Sequence, residues 1–263
     1  MLLCLDIGNT NIVVGVFNKD ELTVSLRLST NFNLTADEYG FTLKNLLTDW
    51  GVKPEAITGI VISNVVPPLM KSFRELCEKY FHLTPLEVGL GIKTGMPVLT
   101  DQPGEVGADL IAGSLAAYEF YGKAQDHRPA RPVLAIDYGT ATTFCAVSRR
   151  GEYLGVAITP GILIAAQALY QKAAKLPEID LVTPSRVIGR NTVQSMQSGV
   201  IYGFIELSRG LIRRFKEEMG EDTFVVATGG LCGLVAGEVP EIFTVRENLV
   251  LEGLKIIYRL NRS

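Results

Sequence analysis

The sequence predicts an α/β protein made of two halves with the same topology. Three observations predict it. Each half opens on three short apolar strands, each continues in alternating helices and strands, and each carries an aspartate at the end of its first strand (LLCLDIGNTN and VLAIDYGTAT). A length of 263 residues with 47% apolar content suffices to bury a core in each half.

In the first half the strands are expected at Leu2–Leu5, Ile12–Phe17 and Leu22–Leu28, split by the polar clusters at Gly8–Asn11 and Asn18–Glu21. A helix follows from Thr35 to Trp50. The unbroken apolar run Ile57–Val66 predicts a strand covered on both faces. Pro67 and Pro68 stop it and open a helix to Phe81, because proline is tolerated in a first helical turn. A short strand at Pro85–Gly89 and an apolar helix from Gly107 to Tyr121 complete the half. Residues Gly122–Pro132 (GKAQDHRPARP) read as a linker, which divides the chain into domains at 1–121 and 133–263. Beyond it strands are expected at Val133–Asp137, Thr142–Val147 and Tyr153–Ile158, then helices at Ile162–Lys175 and Val193–Glu218. Strands at Thr223–Ala227 and Ile242–Val245 and a helix at Glu247–Leu260 close the pattern.

Composition narrows the function. The formal charge is −3, from 25 Lys and Arg against 28 Asp and Glu, so there is no basic field to draw nucleic acid. The four cysteines are far apart and sit in apolar stretches, as expected of small hydrophobes in a reducing compartment. MLLCLD has no basic leader and meets Asp6 at once, and no apolar run approaches the length of a membrane span, so a cytoplasmic protein without membrane attachment is expected. With only two histidines, His82 and His127, histidine-based catalysis or metal binding is not expected.

The two aspartate-tipped turns carry the chemistry. One such turn alone is an ordinary hairpin; two equivalent copies suit the clasping of a polyphosphate. Neither a P-loop nor a dinucleotide fingerprint occurs, and Asp137-Tyr138-Gly139 lacks the other loops of a protein kinase. No Lys or Arg lies within Asp6–Phe17 or Asp137–Ser148, so phosphate charge there must be met by cations, with Asp6 and Asp137 as their sites. Phosphoryl transfer to an alcohol also needs a carboxylate to hold the hydroxyl and take its proton. Asp109 fits, at the start of a helix whose N–H groups favour its ionised form and beside the small Gly107 and Ala108; the alternative is a plain helix-terminal aspartate.

DIGNTN at Asp6–Asn11, EVGAD at Glu105–Asp109, DYGTATTF at Asp137–Phe144, PGI at Pro160–Ile162, IGRNTVQSMQSGV at Ile188–Val200 and ATGG at Ala227–Gly230 together resemble the type III pantothenate kinases. The resemblance implies two duplicated ribonuclease H-like (actin-like) domains of the acetate and sugar kinase superfamily, with a nucleotide cleft between them. It implies ATP held by Asp6, Ile7, Gly8, Asn9, Thr10, Asn11, Ile12 and Val13, with a further contact from Thr140. Mg²⁺ is implied at Asp6 through water, and a monovalent cation, K⁺ or NH₄⁺, at Asp137. Asp109 becomes the proton acceptor, and Thr100, Gly107, Ala108, Asp109 and Leu110 line the pantothenate pocket. Thr192 reaches that pocket across a homodimer interface, although Asn191 and Gln194 also have the spacing of a helix cap. The family's usual Gly-Ala-Asp-Arg is Gly-Ala-Asp-Leu110 here, and its Tyr-Asp-Asn-Pro is Thr100-Asp101-Gln102-Pro103. Leu110 cannot pair with a substrate carboxylate as arginine does, and Arg186 or Arg190 are the nearby substitutes. A kinase for another small hydroxy compound and a nucleotide-binding regulator remain the alternatives.

Overall fold

The computed structural model describes residues 1–125 and 128–262; Asp126 and His127 of the expected linker, and Ser263, lie outside the described residues. The strands are β1 Leu2–Ile7, β2 Asn11–Asn18, β3 Glu21–Ser29, β4 Gly59–Asn64, β5 Leu86–Glu87, β6 Val133–Tyr138, β7 Ala141–Val147, β8 Tyr153–Pro160, β9 Phe224–Thr228 and β10 Thr244–Val245. The helices are α1 Ala36–Asp49, α2 Met70–Phe81, α3 Ala108–Ala117, α4 Ile162–Lys172, α5 Thr192–Met219 and α6 Leu249–Leu260. Each falls where the sequence predicts it, to within a few residues at its ends.

The strands form two five-stranded sheets, ordered β3-β2-β1-β4-β5 and β8-β7-β6-β9-β10. Position for position the order is the same, with an antiparallel meander followed by two parallel additions. The expected duplication is therefore present in the hydrogen bonding. Two compact units contain the sheets. The first is Met1–Met96, Gln102–Ala116 and Val250–Ser263, the second Pro97–Asp101 and Ala117–Leu249. Helix α6 thus clusters with the first unit although it follows the second in sequence.

The first sheet is covered on both faces, as the apolar run in β4 requires. Leu3, Leu5, Ile7, Val14, Ile60 and Ile62 pack with α1 and α2. The opposite face takes α6: a Cβ at Gly15, the partner of Cys4, would lie 2.7 Å from Leu251 Cδ1, and Gly59 abuts the Tyr258 ring. Lys255 and Arg259 fasten α6 to the β2–β3 turn, donating to Asp20 O at 3.1 Å and to Asp20 Oδ1 at 2.6 Å. Thr35 and Glu38 close a capping box on α1, and α2 ends on His82 in the left-handed conformation (φ 56°). All four cysteines are buried and free. Among the described residues no helix is long and apolar enough to cross a membrane.

One helix end differs from expectation. The sequence predicts α3 to run to Tyr121, but it leaves α-geometry at Ala117 and passes through a π turn, Tyr118–Gly122. Tyr118 is the cause: its ring occupies the space where Gly122 and Gly151 lack side chains, and its hydroxyl donates to Arg149 O at 3.0 Å.

The packing of α6 on α3 depends on Gly253, where a Cβ would run into the backbone of Ala112. Gly253→Ala is expected to lower stability to urea by about 1–3 kcal/mol. Gly203→Ala, at a helical position with nothing near the added methyl, is expected to raise it by roughly 0.5–1 kcal/mol.

Candidate active site

In the first unit, Asp6 occupies the last rung but one of β1, facing Val13 of β2 and Ser63 of β4. The turn beyond it is closed by Gly8 N–H donating to Asn11 O at 3.0 Å. Thr30, which the sequence reading did not single out, braces it: its hydroxyl donates to Gly8 O at 2.6 Å and its N–H to Thr10 O at 3.0 Å. Asn9 and Thr10 are exposed, and Asn11 and Val13 are half-buried. Ile7 and Ile12 are fully buried in the core, so only their main chain faces the turn.

Asp109 stands in the first turn of α3, half-buried, with Ala108 and Leu110 half-buried beside it. Leu110 N–H donates to Asp109 Oδ1 at 2.8 Å. The helix start therefore supplies the expected donor, yet burial outweighs it and holds the Asp109 carboxyl above the ordinary aspartate range. Gly107 leaves room for this rotamer, because a Cβ at that position would displace Asp109 Oδ1. The same Cβ would lie 3.5 Å from Val65 Cγ1, and Val65 N–H donates to Ile7 O at 3.1 Å. Asp6, its turn and Asp109 are thereby gathered at the carboxyl end of the first sheet, where open α/β sheets bind ligands.

In the second unit Asp137 occupies the matching rung of β6, between Thr143 of β7 and Thr228 of β9. The hairpins are not identical: Asp6 pairs with the residue seven places on and Asp137 with the residue six places on, so the second tip is one residue shorter. Glycines crowd it. Gly229 adopts φ +95°, and a Cβ there would strike Asp137 Oδ1; at Gly139 it would lie 3.3 Å from the same oxygen. A Cβ on Gly161 would run into Thr140 O and come within 2.6 Å of Gly139 O. The sequence pointed to Gly161 and Gly229 only through PGI and ATGG, without a role. Thr140 is exposed, and Thr192 is the exposed first residue of α5. The helix-capping reading of that neighbourhood holds: Asn191 Oδ1 accepts from Gln194 N–H at 2.9 Å, and Gln194 Oε1 from Arg190 N–H at 3.1 Å. Arg186 and Arg190 are exposed. Thr100 belongs to the Pro97–Asp101 segment, which joins the second unit through Leu99 N–H donating to Tyr153 O at 2.9 Å. Its hydroxyl oxygen is buried, with no hydrogen-bond partner among the described residues.

A cavity of about 440 Å³ elsewhere in this unit, lined by Leu154, Val156, Leu211 and Phe215 among others, contains none of these residues. Its lining is apolar apart from Arg214 and Glu218, and the chemistry is assigned to the aspartate turns. Among the described residues no three His, Cys, Asp or Glu side chains cluster as a metal cage. A cation here would draw its remaining ligands from hydroxyls, carbonyls, water or a bound phosphate. That donor set of hard oxygens suits Mg²⁺ and K⁺.

The sequence profile of the type III pantothenate kinases matches residues 2–214. A type III pantothenate kinase from Myxococcus xanthus (strain DK1622) is 48% identical over 263 residues, covering 100% of both chains. The chain belongs to the type III pantothenate kinase family. Solved structures agree on the fold at low identity. A Baf family protein from Campylobacter jejuni superposes with a TM-score of 0.62 at 18% identity, over 98% of each chain. A ROK family glucokinase from Streptomyces griseus gives 0.54 at 14%, covering 98% of this chain and 99% of its own. The duplicated ribonuclease H-like fold of the actin-like ATPases and sugar kinases is thus shown, and family membership carries with it the use of ATP and a small-molecule substrate.

Asp109 supplies a prediction separable from catalysis. Its folded-state pKa lies above its unfolded value, so the stability it contributes is present at low pH and is lost as pH rises through the folded pKa. Asp109→Asn is therefore expected to resist urea better than wild type at neutral and mildly alkaline pH. The gain should disappear as the pH falls and wild-type Asp109 takes up its proton.

Proposed function

We propose that this chain transfers the γ-phosphate of ATP to the primary hydroxyl of pantothenate, giving 4′-phosphopantothenate, the first step of coenzyme A synthesis. Family membership supplies the reaction. The structural observation that carries it is Asp109, a half-buried carboxylate held by Gly107 and Leu110 at the sheet end where Asp6 and its turn lie. Burial makes it a stronger base than a solvated aspartate while one helix N–H orients it. Such a group holds an alcohol oxygen in line and accepts its proton as the phosphoryl group arrives.

In the first unit the turn Asp6–Val13 takes the ATP phosphates, with Asp6 holding Mg²⁺ through water. In the second, Asp137 takes the monovalent cation, K⁺ or NH₄⁺, and Thr140 contacts ATP. These ions, when bound, neutralise phosphate charge that neither turn can meet with Lys or Arg. The orphaned hydroxyl oxygens of Ser63 and Thr143 beside the two aspartates support that use. Pantothenate is assigned to Thr100, Gly107, Ala108, Asp109 and Leu110, with Thr192 of a second copy. The exposed apolar residues Ile158, Leu163, Ile164, Val187, Ile188 and Val193, flanking α4 and the start of α5, support a homodimer. A cytoplasmic location completes the proposal, in keeping with four buried free thiols.

Purified protein given ATP, Mg²⁺, K⁺ and pantothenate is expected to release ADP in a pantothenate-dependent manner, and to slow when Na⁺ replaces K⁺. Asp109→Asn is expected to lower turnover by a factor on the order of 10² or more while the protein stays folded. ATP binding without turnover by the wild-type protein would assign it instead to regulation.

Leu110 favours a second reading, a kinase for another hydroxy compound, because an aliphatic side chain replaces the family's arginine. If the acceptor is pantothenate, Leu110→Arg is expected to lower its KM. Loss of activity in that variant, with ADP released only in the presence of a different alcohol, would transfer the assignment to that alcohol.

A further inference from the structure

Ser63 is fully buried in β4, and its hydroxyl finds no hydrogen-bond partner among the described residues. An unpaired hydroxyl in a water-free interior is destabilising, and an apolar residue of the same size would remove the penalty. What Ser63 does have is a neighbour. The β1–β4 ladder sets it directly beside Asp6, and paired residues on parallel strands project to the same face about 4.8 Å apart. Two residues along that face, Val65 packs on Gly107, whose missing side chain makes room for Asp109.

The second half shows a hydroxyl at this rung whose proton has a protein acceptor. Thr228 stands beside Asp137 as Ser63 stands beside Asp6, and its Oγ1 donates to Glu247 O at 3.3 Å. Ser63 has no such outlet. Its one clear use is a ligand that arrives at Asp6.

We propose that Ser63 is a positioning residue for the divalent cation accompanying the nucleotide, its hydroxyl oxygen accepting a hydrogen bond from a water of the hydrated ion that Asp6 holds. This rests on the nucleotide reading above and deepens it. The chemistry fits: a water bound to Mg²⁺ turns its oxygen to the ion and its two hydrogens outward, so its neighbours must accept. The Asp6 carboxylate can take one of those hydrogens and the Ser63 hydroxyl oxygen the other. Groups of this kind orient metal ligands without touching the reacting atoms, and removing them weakens metal binding by about 10- to 100-fold.

The test is thermal unfolding of the full chain with ADP while Mg²⁺ is titrated, for wild type, Ser63→Ala and Ser63→Cys. Cysteine keeps the shape of the buried site but its sulfur accepts poorly, which guards against a folding defect in the alanine variant. Both variants are expected to melt without ligand no lower than wild type and to respond normally to ADP in EDTA. The Mg²⁺ concentration giving half the ADP-dependent shift should rise by roughly 10-fold or more. A Mg²⁺ midpoint unchanged from a responsive wild type overturns the proposal. So does a parallel fall in ligand-free melting and in the EDTA response, which would make Ser63 a structural residue. A wild-type protein indifferent to both ADP and Mg²⁺ overturns the nucleotide reading itself, and this proposal with it.

Discussion

The arrangement depends on the register of one parallel ladder, β1 against β4. A central strand covered on both faces can carry a charge only where the cover ends, and in β1 that point is Asp6, one residue before the strand closes at Ile7. Because β4 runs parallel to β1, its carboxyl end arrives at the same edge. The chain leaving it must therefore pass the carboxylate before turning into α2. Val65, Gly107 and Asp109 are consequences of that geometry. A slip of one residue would turn Asp6 into the apolar layer beneath α1 and α2, replacing a site with an uncompensated buried charge. The fully buried residues on either side of it, Leu5 and Ile7, hold the register.

Within this frame the site gathers several unfavourable arrangements. Asp109 is held where burial disfavours its charge, and Gly229 keeps a left-handed conformation so that Asp137 has room. The hydroxyls of Ser63, Thr100 and Thr143 are buried without partners among the described residues. Elsewhere Thr35 caps α1, Asn191 caps α5, and Tyr138 donates to Ser208 inside the second core at 2.8 Å, while Ser114, Thr142 and Glu241 also bury an oxygen without a partner among the described residues. Unmet polar groups gathered around carboxylates mark positions where a ligand completes the bonding, as expected where activity and stability compete.

The meanders, the helix start at Thr35, the cap at Asn191 and the duplicated aspartate turns were legible in the sequence because each rests on contacts a few residues apart. Features set by distant partners were not. That α3 gives way at Ala117 follows from a Tyr118 ring seated against Gly151, a residue no local window connects to it. The grouping of α6 with the first unit rests on partners across most of the chain, Leu251 on Gly15, Tyr258 on Gly59 and Gly253 on Ala112, with Lys255 and Arg259 reaching Asp20. Asp109 was found from its place at a helix start, but the sign of its pKa shift was not, since helix donors and burial oppose one another and only packing decides which prevails. Ser63 lay inside an apolar run and read as one more strand residue until its register with Asp6 was known.

On the proposed assignment, the duplication lets one plan serve two kinds of site. In the first unit Asp6 has an aliphatic neighbour on one side, Val13, and a hydroxyl on the other, Ser63. Asp137 has hydroxyl-bearing neighbours on both sides, Thr143 and Thr228, in a hairpin one residue shorter whose Gly139 and Thr140 carbonyls press on Gly161. A sparse donor set leaves room for water, and so suits a small ion that sheds its hydration reluctantly. A crowded set of carboxylate, hydroxyl and carbonyl oxygens suits a larger ion that exchanges water for protein oxygens readily. Shortening one hairpin and replacing a valine by a threonine is thus enough, on an unchanged sheet, to divide the proposed cation work between two equivalent aspartates.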